Sequence, residues 1–227
     1  AHGLPVICQK PLCPTLDEAR ALVEEIGDRV RFMVHENWRF RPPYRRIKEW
    51  LDGGRIGAPR AFTMEVTSSG LIPDIPGEPP PTLRRQAFFA RMQRLTVLEN
   101  LIHQLDTLRF LLGGLSVAGA RLARLSDRVI GDDTAMVLLE APNGGIGTLM
   151  GSMAVPGLPP RSSDTLRIIG ERATITFQDW RLTCSDSDAV ETFDPVASYQ
   201  ASFDAVIEHF VDGLLTGAPF ETAATEN

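Results

Sequence analysis

VICQKPLCPTLDEARALVEEIGDRVRFMVHENW, residues 6–38, changes its hydrophobic period twice. The apolar run PVIC, residues 5–8, reads as a short buried strand that delivers Gln9, Lys10 and Pro11 to its end. Pro11 and Pro14 then break the chain. Thr15 and Glu18, a hydroxyl and a carboxylate three residues apart, form a capping-box pattern that starts a helix. Leu16, Ala19, Leu22, Val23 and Ile26 follow at helical spacing, and Gly27 is its stop. RVRFMVHENW, residues 29–38, reads as the next strand. Two strands joined by a helix are one step of a parallel sheet, and one step cannot bury its own faces. Such a sheet needs neighbours, and nothing upstream of Ala1 supplies them. The expectation is a chain cut inside a larger α/β unit; ETAATEN at the other end also looks cut.

From Arg60 the pattern changes. Before it, Pro42-Pro43 opens a helix with Tyr44, Ile47 and Leu51 on one face and Gly53-Gly54 as its stop. RAFTMEVTS is a strand, and GLIPDIPGEPPPT, residues 70–82, is too proline-rich for a helix or a central strand. A helix is expected over 97–112. DDTAMVLLEAP and IGTLMGSMAV flank the turn Asn143-Gly144-Gly145 as a hairpin. TLRIIG and ATITF form a second hairpin, RLTCS adds a strand, and a last helix covers about 198–216. The pattern predicts a truncated β-α-β start followed by an antiparallel-rich α+β domain, with a boundary near residues 54–60.

Apolar residues make up 43% of the chain and charged residues 23%, enough for a full core. The net charge of -6 argues against nucleic-acid binding, which needs a basic surface. No apolar run approaches the roughly 20 residues that span a bilayer. Cys8, Cys13 and Cys184 lack the spacing of zinc or redox sites and read as three reduced thiols of a cytoplasmic protein.

Lys10 is the first residue with chemistry to offer. Ligands of parallel sheets bind beyond the carboxyl ends of the strands, where a lysine stabilises developing negative charge. On position alone, a solvated strand-end lysine is the favoured reading. In the helix VLENLIHQLDTLRFLLG, Glu99, His103 and Asp106 fall within about 60° of one another at ~100° per residue. A carboxylate beside an imidazole suits proton transfer near neutral pH; the plain alternative is a solvated polar face. Glu99 and His103 are only two metal ligands, so no metal site is expected. Gly145, Gly147 and Gly151 have the wrong spacing for a dinucleotide loop and sit inside a hairpin. Arg84, Arg85, Arg91 and Arg94 read as a surface cluster, with an anionic ligand as the alternative.

Four segments together resemble one family. VICQKPLCPTLDEARALVEE is similar to the "EKP" segment of the Gfo/Idh/MocA oxidoreductases, and ENWRFRPPYRRIKEWLDGGRIGAPRAF to the segment after it. ENLIHQLDTLRFLLGG resembles that family's D-x-x-x-H-x-x-D helix, and SYQASFDAVIEHFVDGLLTGAPFET its late helix. The resemblance implies a Rossmann domain that binds NAD or NADP, of which residues 1–57 are an α/β remnant, then an α+β C-terminal domain over residues 58–227 like that of glyceraldehyde-3-phosphate dehydrogenase, a large, open, mainly antiparallel sheet with helices on one face that pairs subunits into a homo-oligomer. It implies Lys10, His103 and Glu99 as catalytic residues, with His103 the acid/base and Asp106 structural. Gln9, Lys10, Pro11 and Asn37 would lie beside the cofactor. Gln9 stands where the family has glutamate, and Glu99 where it has aspartate.

The glycine loop that cradles the pyrophosphate would lie upstream of Ala1, so this stretch alone is expected to bind NAD(P) poorly and to be inactive. The implied reaction is hydride transfer between a nicotinamide and a hydroxyl carbon of a sugar, polyol or related small molecule. A non-catalytic dimerisation module and a glycoside-cleaving relative that regenerates its cofactor are the alternatives.

Overall fold

The computed structural model describes residues 3–224. The quoted stretch folds as its periods require. Strand β1, Val6–Gln9, and strand β2, Phe32–His35, pair in parallel across helix α1, Leu16–Ile26. Both bonds of the Thr15–Glu18 capping box form, and Gly27 ends the helix at positive φ. The free edge of β2 is taken by residues near the other end of the chain. Val34 N–H donates to Thr222 O at 2.9 Å, and the Thr222 hydroxyl donates to Val34 O at 2.7 Å. β2 is shorter than the apolar run predicts, because Trp38–Phe40 turn as a single 3₁₀ step.

Helix α2, Pro42–Asp52, leads into β3, Pro59–Thr67. A short helix α3, Pro81–Arg85, interrupts the proline-rich loop, with its prolines at the first turn, where no N–H is needed. Helix α4 is Ile102–Leu112. Strands β4 (Ser116–Ala123), β5 (Thr134–Glu140), β6 (Ile146–Ser152), β7 (Ser163–Gly170), β8 (Thr174–Gln178), β9 (Arg181–Cys184) and β10 (Val190–Thr192) follow, then helix α5, Pro195–Thr216. The eight strands from β3 onward form one sheet in the order β10-β9-β8-β7-β3-β6-β5-β4. Only the β3–β6 pairing is parallel. The expected α+β class with a mainly antiparallel open sheet is the observed one.

Strand alternation puts Phe62, Met64 and Val66 of β3, Val137 and Leu139 of β5, Leu149 of β6, Leu166 and Ile168 of β7 and Ile175 and Phe177 of β8 on one buried face. Tyr44, Ile47 and Trp50 of α2 and Leu108 and Leu111 of α4 close over it. Ala135 of β5 lies in the same layer. Among the described residues nothing covers the opposite face, which shows Met136, Leu138, Ile146 and Ile169. Sequence patterning misses β4 and β10. They are the two edge strands, and neither presents a buried apolar row to alternate against polar residues. Among the described residues no helix is long and apolar enough to cross a membrane.

The continuous helix expected over 97–112 is a correction. Thr96–Asn100 is a π-turn, and α4 begins only at Ile102. The buried Leu101 sits at the junction, in a notch left by Gly151: a Cβ on that glycine would meet the Leu101 side chain at 2.5 Å. Gly147 does the same for Phe62, at 2.4 Å from both its ring and its backbone oxygen. Gly147 and Gly151 therefore serve close packing. Gly147→Ala is expected to cost about 1–3 kcal/mol through overpacking. Gly119→Ala, in open space on β4, should change stability by less than about 0.5 kcal/mol. Urea unfolding of the two variants checks the contrast.

Candidate active site

β1 and β2 end side by side, with Gln9 opposite His35 in register. Lys10 and Glu36 therefore leave adjacent strand ends together. The Lys10–Pro11 peptide is cis. The π-turn before α4 comes up against these ends. Asp132 fixes its start by accepting the N–H groups of Leu95 at 3.3 Å and Thr96 at 2.9 Å. The turn delivers Glu99 to Lys10, whose Nζ donates to the Glu99 carbonyl at 2.6 Å and to Oε1 at 3.0 Å. Both side chains are 13% exposed, so the ammonium is anchored but reachable.

His103 lies in the first turn of α4. Its Nδ1 is 2.8 Å from both carboxylate oxygens of Glu36. Its ring stacks on Trp38 with centroids 4.1 Å apart and planes 15° apart. The Arg41 guanidinium covers the indole at 3.4 Å. Trp38 Nε1–H donates to Asp164 Oδ2 at 2.8 Å. Tyr44 O–H donates to the same carboxylate, and Gln104 Nε2 donates to its other oxygen at 3.0 Å. Two buried polar atoms, Arg41 Nε and Gln104 Oε1, have no protein partner in this cluster. Among the described residues His103 Nε2 likewise has no hydrogen-bond partner, and its side chain is 14% exposed.

Burial alone would raise the Glu36 carboxyl. The charge of His103, hydrogen bonds from His103 and the Trp38 N–H, and the charge of Lys10 outweigh it and hold the group below its ordinary 4.5. Burial, reinforced by the Asp164 charge, pushes the Tyr44 phenol well up.

The expectation that Glu99, His103 and Asp106 work from one helical face is corrected. The π-turn takes Glu99 off the α-helical register, and each residue has its own partner: Lys10 for Glu99, Glu36 for His103, and Arg39 for Asp106 through a paired contact. Asn37 is 4% exposed, and its amide donates to Ser202 of α5 at 2.7 Å. Gln9 Oε1 accepts the Lys10 backbone N–H. In the arginine cluster, Arg84 gives its guanidinium to Asp74, at 2.8 and 2.9 Å. Sequence reasoning missed Glu36, Trp38, Arg41 and Asp164. The three charged residues are at most 7% exposed, a burial that is tolerated only with partners. The available signal was the run Glu36–Arg41, charged and aromatic residues at a strand end.

A family model, the GFO/IDH/MocA C-terminal domain, matches residues 44–176. A D-apiose dehydrogenase from Rhizobium rhizogenes is 30% identical over 242 residues, covering 100% of this chain and 67% of its own. The crystal structure of an oxidoreductase from Agrobacterium radiobacter in complex with NAD+, L-tartaric acid and magnesium superposes with a TM-score of 0.84 at 28% identity. That match covers 97% of this chain and 66% of the other. A levoglucosan dehydrogenase in complex with NADH and levoglucosan has a TM-score of 0.79, 20% identity, and coverage of 99% and 68%, and speaks for the fold alone. This chain thus spans about two thirds of the length of these relatives.

Two outcomes are expected. Asp164→Ala strips Trp38, Tyr44 and Gln104 of their acceptor and leaves Arg41 buried without a carboxylate, costing about 3 kcal/mol or more in urea unfolding. Glu36 has a depressed folded pKa, so its contribution to stability is complete above its ordinary 4.5 and is lost as pH falls through the depressed value. Glu36→Gln should therefore flatten the acid dependence of stability below about pH 5.

Proposed function

The chain belongs to the GFO/IDH/MocA family, and from that premise we propose that it is the substrate-binding part of an NAD(P)-dependent oxidoreductase acting on a hydroxyl carbon of a sugar or polyol. The observation that carries this reading is the meeting of Lys10 and the Glu36–His103 pair at the ends of two parallel strands. The names of the relatives support the substrate class.

The residues present fit one end of a nicotinamide dinucleotide. The connection from β1 to α1 carries Pro11 and Pro14 and no glycine, so it is not a pyrophosphate cradle. The strand ends instead offer a reachable cation and an imidazole, groups suited to the reacting half of a dinucleotide site. Gln9, Lys10 and Pro11 would line the nicotinamide end, with Asn37 backing them from its bond to Ser202. When bound, the nicotinamide supplies a hydride acceptor or donor.

The chain's own residues supply the rest. His103 accepts the hydroxyl proton at Nε2. Lys10, held by the Glu99 backbone carbonyl and Oε1, directs N–H bonds at the substrate oxygen and stabilises negative charge as the O–H bond weakens. Glu99 positions Lys10. In the full-length protein, His103→Ala should lower kcat by about a hundredfold or more, measured as nicotinamide reduction. Unchanged turnover in a folded variant overturns the assignment.

We also propose that the uncovered sheet face pairs two copies of the chain. Met136, Leu138 and Ile146 are 54, 44 and 56% exposed there, an apolar surface of the kind that marks an interface. Leu138→Lys should convert a dimer to monomer in sedimentation; a monomeric parent protein overturns the proposal.

A further inference from the structure

The buried carboxylates of this molecule divide by what they hold. Asp106 binds Arg39, and Asp133 accepts the backbone N–H groups of Leu125 and Ser126. Asp164 ties together three side chains that the proposed chemistry does not use. Glu36 alone among them is spent on an imidazole with a nitrogen left over.

Glu36 is 1% exposed and fixed from three sides. Its backbone leaves β2, which β1 holds on one edge and Thr222 on the other. Its Oε1 accepts the Trp38 N–H at 2.9 Å. Both of its oxygens lie 2.8 Å from His103 Nδ1. An ionised carboxylate only accepts hydrogen bonds, so a contact this short puts the proton on Nδ1. The stack on Trp38 fixes the ring plane, and the Trp38 bond to Asp164 and the Arg41 guanidinium fix the indole.

We propose that Glu36 is the positioning residue of the site: it holds His103 in its Nδ1–H form, makes Nε2 the basic nitrogen, and balances the imidazolium once Nε2 is protonated. This rests on the oxidoreductase reading above. In the oxidation direction the substrate O–H bond breaks and its proton goes to Nε2. The O–H electron pair becomes the second carbon–oxygen bond, and the C–H pair leaves as hydride to an oxidised nicotinamide. The positive charge gained by His103 falls beside a carboxylate already ionised, in surroundings too dry for water to screen it. The depressed pKa of Glu36 agrees with that ionised state.

The other charges around His103 are committed. Lys10 from β1 and Glu99 from the π-turn pair with each other. Asp106, further along α4, pairs with Arg39. Arg41 and Asp164 lie behind Trp38, 3.9 Å apart, and α5 contributes the uncharged edge of Tyr199. Glu36 is thus the anion that His103 meets directly.

The test uses the full-length protein. Glu36→Gln should lower kcat by about a hundredfold with KM changed less than about threefold. The acid limb of its kcat/KM profile should move toward lower pH, because loss of the anion makes the ring easier to deprotonate. Glu36→Asp should recover part of kcat and restore the limb. A folded Glu36→Gln with parental kcat and profile overturns the proposal. A silent His103→Ala removes the base that Glu36 would position and overturns the proposal, whereas a parent protein that reduces no nicotinamide with sugars or polyols overturns the oxidoreductase reading, so the two failures are distinguishable. Nitrogen NMR of the histidine side chains in the parent protein needs no variant: the Nδ1–H form of neutral His103 is expected, and the Nε2–H form overturns the proposal.

Discussion

Asp164 is the constraint on which the arrangement around the site depends. It stands at the start of β7, with its side chain 4% exposed, under the three elements that shape the site. It accepts from Trp38 in the turn after β2, from Tyr44 in α2 and from Gln104 in α4. A buried carboxylate is tolerated only when such donors surround it. The sheet can therefore carry this charge only if the turn, α2 and α4 all dock in one relative position. Directional bonds do here what apolar packing cannot, because an apolar contact tolerates sliding and a three-donor carboxylate does not.

That position is then passed outward through aromatic rings. The indole held by Asp164 carries Arg41 on one face and His103 on the other. A planar stack sets the tilt of the imidazole, and the Glu36 carboxylate sets its rotation about the ring normal. His103 reaches a defined orientation with its polar contacts all on Nδ1.

The second half of the site is placed by omission of side chains. Gly151 leaves the notch that Leu101 fills, and Asp132 caps the turn that starts at Thr96. Between these anchors the backbone makes one wide turn, and Glu99 swings out of helical register toward Lys10. A uniform α-helix would hold Glu99 above His103 and compete with Glu36 for it. The irregular turn separates the two ion pairs, so that one orients a base and the other a cation.

Sequence alone determined the parallel β-α-β opening, the capping box at Thr15, both hairpins, the last helix and the α+β class. These follow from local periodicity and turn chemistry, which act over a few residues. It also singled out Lys10, Glu99 and His103 as residues with chemistry to offer. Tertiary structure decided the pairings: Glu36 with His103, Glu99 with Lys10, Asp106 with Arg39, and Asp164 with its three donors. Those partners lie 60 to 126 positions apart. The charge on a side chain is legible in sequence, but the partner that makes its burial tolerable is chosen by whichever elements the folded sheet brings against it.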